Sequence, residues 1–166
     1  GSGGGEVIKT IDLNAPSVEN PGNLGLTISS AANLGTTTVK RGHVSQTLPG
    51  NASLERYYEV RPGNNAALNA AVSLSYFDAE LNGLSEGSLE SWHDEGTNWI
   101  NIEPTSTDGS ANFVEVALDT LGRMTLGGGA LKFSPKAFLQ GSYTTSNGLM
   151  NDGLRTSGEI PTLEPY

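Results

Sequence analysis

The sequence predicts an all-β protein: an antiparallel β-sandwich of the immunoglobulin or jelly-roll kind, with about eight or nine strands and an extended C-terminal arm. Three observations carry this. Charged residues make up only 16% of the chain, while glycine contributes 22 residues and Asn and Thr are frequent, a balance suited to short strands and tight turns. Apolar residues recur with period two in several segments. Turn signals separate those segments at roughly ten-residue spacing. A closed barrel is the alternative arrangement. The 166 residues suffice for one well-buried core with an extension left over.

In chain order, Gly1–Gly5 reads as a flexible leader with no signal peptide legible in it. Residues 6–129 read as the sandwich. Glu6–Leu13 alternates weakly as a first strand, and Pro16, Pro21 and Gly22 mark a loop. Leu24, Leu26 and Ile28 share one parity. A turn is expected at Asn33–Gly35, a β-rich run at Thr37–Gln46, and a second turn at Leu48–Ala52. Leu54–Val60 is the next strand, with Leu54, Tyr58, Val60 and also Arg56 on one face. RPGNN (Arg61–Asn65) is a strong turn signal. Leu68, Ala70, Val72, Leu74 and Tyr76 then alternate with small or polar residues. The parity flips at Tyr76–Phe77, which predicts a bulge or a crossing between sheets.

A single helical turn is expected within Leu84–Ser88. Leu89–Trp92 and Trp99–Ile102 read as a hairpin around DEGTN, and Thr105–Ser110 as a loop. Phe113–Leu118 and Arg123–Leu126 are the last strands, ended by Gly127–Gly129. Residues 130–166 change texture. Only Leu131–Leu139 looks strand-like there, and the remainder reads as an extended arm rich in Gly, Asn, Ser and Thr.

The net charge of −9 repels phosphate backbones and anionic membrane surfaces, so neither nucleic acid nor membrane is an expected partner. No apolar run approaches the ~20 residues of a membrane-spanning helix. With no cysteine, disulfides, thiolate metal sites and a cysteine nucleophile are excluded. His43 and His93 stand without a Ser-His-Asp spacing or an HExxH motif and read as surface or loop residues. The glycine runs at Gly3–Gly5 and Gly127–Gly129 lack the Lys-Ser/Thr pair of a phosphate loop.

Four groups are candidate sites. Asp78, Glu80, Asn82 and Glu86 place oxygen ligands at alternate positions before a later Glu, as a Ca²⁺ site does, but without the twelve-residue EF-hand frame. The structural alternative pairs Asp78 and Glu80 with Arg56, which sits on an apolar parity and needs a carboxylate partner if buried. Trp92 and Trp99 flank one hairpin and offer faces for stacking a sugar ring, against the alternative of core packing. Asp94, Gly96 and Trp99 are spaced much as in the Asp-box hairpin of sialidase-like propellers, where the Asp bonds its own turn. In Leu131–Leu139, Leu131, Phe133, Ala137 and Leu139 share an apolar parity and Phe138 adds bulk opposite, giving a strand for β-strand addition to another copy or a neighbouring domain, against the alternative of packing on its own sandwich or serving as a linker. Pro135 there removes one donor.

The run RYYEVRPGNNAALNAAVSLSYFDAELNGL resembles a β-sandwich module of large secreted, adhesin-like cell-surface proteins of Bacteroidota. The residues carrying the resemblance are Arg56, Tyr57, Tyr58 and Glu59, then Tyr76–Gly83, then Trp92, Asp94, Gly96 and Trp99. Lys136–Tyr166 resembles the segment that commonly follows such modules. The resemblance implies a module on a bacterial surface; together with the arm, the expected role is non-catalytic, in adhesion or end-to-end assembly into filaments by strand exchange. It implies no cofactor. A glycan-binding module is the second expectation.

Overall fold

A computed structural model describes residues 5–129; the arm, with the predicted assembly residues Leu131, Phe133, Ala137, Phe138 and Leu139, lies outside them. Eleven strands form in the described residues: β1 (Glu6–Asn14), β2 (Leu26–Ser29), β3 (Asn33–Gly42), β4 (Thr47–Leu48), β5 (Asn51–Arg61), β6 (Ala70–Ser75), β7 (Leu89–Asp94), β8 (Trp99–Ile102), β9 (Ser106–Asp108), β10 (Phe113–Leu118) and β11 (Arg123–Gly128). They build two antiparallel sheets. The larger has the order β1-β3-β5-β11-β7-β8, with β4 paired to β5; the smaller has the order β2-β6-β10-β9. Among the described residues both sheets are open, so the fold is a sandwich and not a barrel.

The core lies between the inner faces. From the large sheet come Leu13, Val39, Leu54, Tyr58, Val60, Met124 and Leu126; from the small one come Leu26, Ile28, Val72, Leu74, Val114 and Val116. Period-two alternation in β6 and β10 explains their position, because the pair is in register from Ala70↔Leu118 to Ser75↔Phe113 and every second residue points inward. The β5 strand differs. Tyr57, Tyr58, Glu59 and Val60 are all buried, so its outer face is covered as well as its inner one.

Several boundaries differ from expectation for local physical reasons. Asn33–Gly35 opens β3 instead of forming a turn, because β1 extends far enough to pair with it. Beyond Gly42 the expected run stops, and Val44 is exposed. Ser106–Asp108, expected as loop, forms a short edge strand on β10. The parity flip at Tyr76–Phe77 is neither a bulge nor a crossing. The β6 strand ends at Ser75, Tyr76 stays buried, Phe77 turns out to solvent, and a 3-10 turn follows at Asp78–Glu80. The single helical turn expected in Leu84–Ser88 is present at Glu86–Ser88. RPGNN is held by Asn65, whose side chain both donates to the Leu121 carbonyl (2.8 Å) and accepts from the Leu121 N–H (2.7 Å).

Gly42 marks the tightest approach on the outer face. A Cβ there would sit 2.2 Å from the Tyr57 ring. Gly42→Ala is expected to destabilise the domain by about 1–3 kcal/mol through overpacking. Gly87→Ala, with open space around it, is expected to change little. Denaturant unfolding of both variants checks this, and equal midpoints would show that Tyr57 is free to move aside.

Candidate functional site

The Arg56 side chain enters the space between the sheets. It is 2% exposed, and its Nη2 donates to Glu80 Oε1 at 2.7 Å. Nη1 donates to the Ser75 carbonyl at 2.9 Å and to the Tyr58 hydroxyl at 3.1 Å. The guanidinium also lies 4.7 Å from the centre of the exposed Phe77 ring. The Tyr58 hydroxyl sits 2.8 Å from the carbonyls of both Gly25 and Ser75. The end of β6 and the entry to β2 are thus tied to the central strand of the other sheet. Burial pushes the Tyr58 phenol up, against the lowering effect of Arg56.

The 3-10 turn at Asp78–Glu80 decides which carboxylate reaches Arg56. Glu80 points inward, and its Oε2 also accepts the Phe77 N–H at 3.0 Å. Asp78 does not join the expected ion pair; its carboxylate accepts from Asn112 at 2.5 Å. His43 approaches the same Glu80 oxygen as Arg56, with Nδ1 3.3 Å from Oε1. Burial, with Arg41 adding to it, holds the His43 imidazole below its usual range.

The expected Ca²⁺ residues are therefore engaged separately. Glu80 serves Arg56, Asp78 serves Asn112, and Asn82 donates to the Ser53 carbonyl at 3.0 Å. Glu86 lies beside the Tyr76 phenol, which burial and the nearby Glu86 and Asp78 carboxylates push up. Among the described residues, no group of three or more His, Asp or Glu side chains converges as a metal site would.

The outer face of the large sheet carries a second polar layer that sequence reasoning missed. Pairing sets Lys40, Glu59, Arg123, Asp94 and Trp99 in one row across five strands. Glu59, 5% exposed, is gripped by Arg61 Nη2 at 2.5 Å and by Arg123 Nη2 at 2.7 Å. Burial alone would raise the Glu59 carboxyl, but the hydrogen bonds and charges of Arg123 and Arg61 outweigh it, and the group sits below its usual range. Arg123 also lies over the Tyr57 ring, 4.8 Å from its centre. Tyr57 donates to Glu6, and burial together with that contact pushes the phenol up to about 12. The only sequence signal for this layer was Glu59 directly after two tyrosines, because its partner Arg123 is far away in the chain.

The two tryptophans are placed differently. Trp92 is 3% exposed, donates its indole N–H to the Gly128 carbonyl at 3.1 Å, and packs against Gly127. It has no free face for a sugar. Trp99 is half-buried, on the same face and opposite Asp94. Asp94 accepts the Gly96 N–H at 2.8 Å, holding its own turn as the Asp-box likeness implies. Beside them an open groove of about 380 Å³ is lined by Glu59, Arg61, Asn65, Asp94, Gly122 and Arg123, among others. His93 is not a surface residue. It is 6% exposed on the inner face, its Nε2 has no hydrogen-bond partner, and burial holds the imidazole below its usual range.

Comparison with protein-family models, curated proteins and solved structures returns no match.

Arg56→Met is expected to destabilise the fold by about 3–5 kcal/mol, because it strands the Glu80 carboxylate in a largely buried site. Arg56→Met with Glu80→Leu is expected to recover much of that loss. Urea unfolding of the single and double variants measures the difference; additive losses would mean that the two residues act independently.

Proposed function

We propose that this chain is a non-catalytic structural module of a secreted bacterial cell-surface protein. It acts in adhesion or in subunit-to-subunit assembly, by β-strand addition through residues 130–166. The observation that carries this reading is the edge of β1, which has no partner on its outer side among the described residues. This nine-residue strand borders the large sheet, is almost wholly exposed, and presents Val7 and Ile8 to solvent. A long edge with unpaired backbone groups is a template for another strand. The alternating apolar residues of Leu131–Leu139 have the sequence pattern of a strand that such an edge takes. The likeness of Arg56–Glu59, Tyr76–Gly83 and the Trp92–Trp99 hairpin to modules of Bacteroidota surface proteins supports the location. The engagement of Arg56, Glu80, Glu59 and Arg123 in one another supports a structural role for these charged groups.

Deleting residues 130–166 is expected to leave a folded monomer and to abolish multimers of the full chain, read by light scattering after gel filtration. If the truncated chain forms the same multimers, assembly does not run through the arm.

Glycan binding is the second reading, favoured by the half-buried Trp99 beside the groove that holds Asp94, Arg61 and Arg123. An indole face with planar polar groups next to it suits a pyranose. On a glycan array, Trp99→Ala is expected to lose at least tenfold in binding with an unchanged melting temperature. No binding by the unaltered chain rejects this reading.

A further inference from the structure

We propose that β1 is the acceptor edge and that its occupant is Leu131–Phe138 of a second copy, laid antiparallel with Leu131 opposite Leu13 and Phe138 opposite Glu6. The inference rests on the assembly reading above and adds to it the edge, the direction and the register.

Other edges are less suited. On β2 the outer side is already taken, since Glu19 and Ile28 exchange both backbone hydrogen bonds, at 2.9 and 2.8 Å, and the Ser30 N–H reaches the Pro16 carbonyl at 2.8 Å. The β9 strand is three residues long and exposed throughout. The β8 strand is four residues long. Among the described residues, only β1 offers an edge ladder of the length of Leu131–Leu139.

Side chains select the register. The inner parity of β1 is Val7, Lys9, Ile11 and Leu13, with Leu13 buried in the core and Ile11 packed against it. The proposed pairing sets Leu131 beside Leu13, Phe133 beside Ile11 and Ala137 beside Val7, extending the apolar interior by one strand. On the outer side it sets Lys132 beside Asp12, an opposite-charge pair. Lys9 is an inward-pointing charge, a common guard against edge pairing, and its stem lies against Gly22. Pro135 falls opposite it. Alternate pairs of an antiparallel ladder are not hydrogen-bonded, and a residue without an N–H is accommodated at one of them.

Reach makes the contact intermolecular. The β11 strand leaves the sheet at Gly128, and the Gly129 N–H bonds the Ser88 carbonyl. Following the registers from Thr125 to Tyr57, Gly42 and Glu6 places the start of β1 at that same end. Leu13 lies about 23 Å further along β1, at ~3.3 Å per residue. Two residues from Gly129 to Leu131 span at most about 7 Å. A chain cannot lay Leu131 against its own Leu13. Its own β8 edge, roughly 14 Å away across three strand spacings, is within range of the arm from Phe133 onward, and pairing there is the competing outcome.

The chain has no cysteine, so paired cysteines report the register directly. Val7→Cys and Ala137→Cys are made singly in the full-length chain, mixed, and oxidised with copper phenanthroline. The proposed ladder predicts a covalent dimer from the mixture that neither variant forms as efficiently alone, and disulfide-linked multimers from the double variant, all reversed by reductant. A covalent monomer from Ile100→Cys with Ser134→Cys, and no cross-link between Val7→Cys and Ala137→Cys, overturns the proposal. If the truncated chain is monomeric while that cross-link is missing, assembly through the arm stands and β1 is not its acceptor. If the truncated chain still forms multimers, the assembly reading falls as well.

Discussion

A single guanidinium sets the spacing and alignment of the sandwich. Arg56 projects from a central strand of the large sheet into a mainly apolar interior. There it meets the carbonyl at the end of β6, the Tyr58 hydroxyl and the Glu80 carboxylate. Removing a charge from water is costly unless its hydrogen bonds are made elsewhere. The end of β6 and the Asp78–Glu80 turn each supply an acceptor to it, and the approach to β2 is tied in through the Tyr58 hydroxyl. Apolar packing alone tolerates sliding; a forked donor with fixed geometry does not. The sheets are thereby registered at one point, and the alternating residues of β5, β6 and β10 follow.

The outer polar layer works by another logic. Glu59, Arg61, Arg123 and Tyr57 lie on a sheet face that would ordinarily be solvated, yet Glu59 and Tyr57 are buried there. Burial raises the cost of each charge, and pairing offsets it only if every partner is in place. Gly42 is part of the arrangement, since the Tyr57 ring occupies the space a side chain would need. The middle of the large sheet is consequently ordered on both faces, while its β1 border is ordered on one.

Legibility in the sequence followed the range of the interaction. Period-two alternation made β6 and β10 plain, because the signal is local. Arg56 was legible as a polar residue on an apolar parity, and its partner could be narrowed to Asp78 or Glu80. Choosing between them required the 3-10 turn that follows the buried Tyr76 and the exposed Phe77. The Glu59–Arg123 pair was not legible, because it joins strands that are neighbours only in the folded sheet. His93 was misjudged for a related reason: β7 is covered on both faces, so Trp92 and His93 are both buried although they point in opposite directions. Edge strands as short as β9 carry too few residues for any periodicity to register.

The described residues enter and leave at one end, Gly5 through the border strand β1 and Gly129 from the centre of the sheet. This arrangement has a mechanical consequence. Tension between those two points does not shear β1 along β3; it peels β1 away, so the hydrogen bonds of that ladder carry the load one after another. The ladders of β11 to β5 and β7 are flanked on both sides and remain engaged while the border opens. Under tension the border strand therefore yields first, and the braced interior of the sandwich yields last.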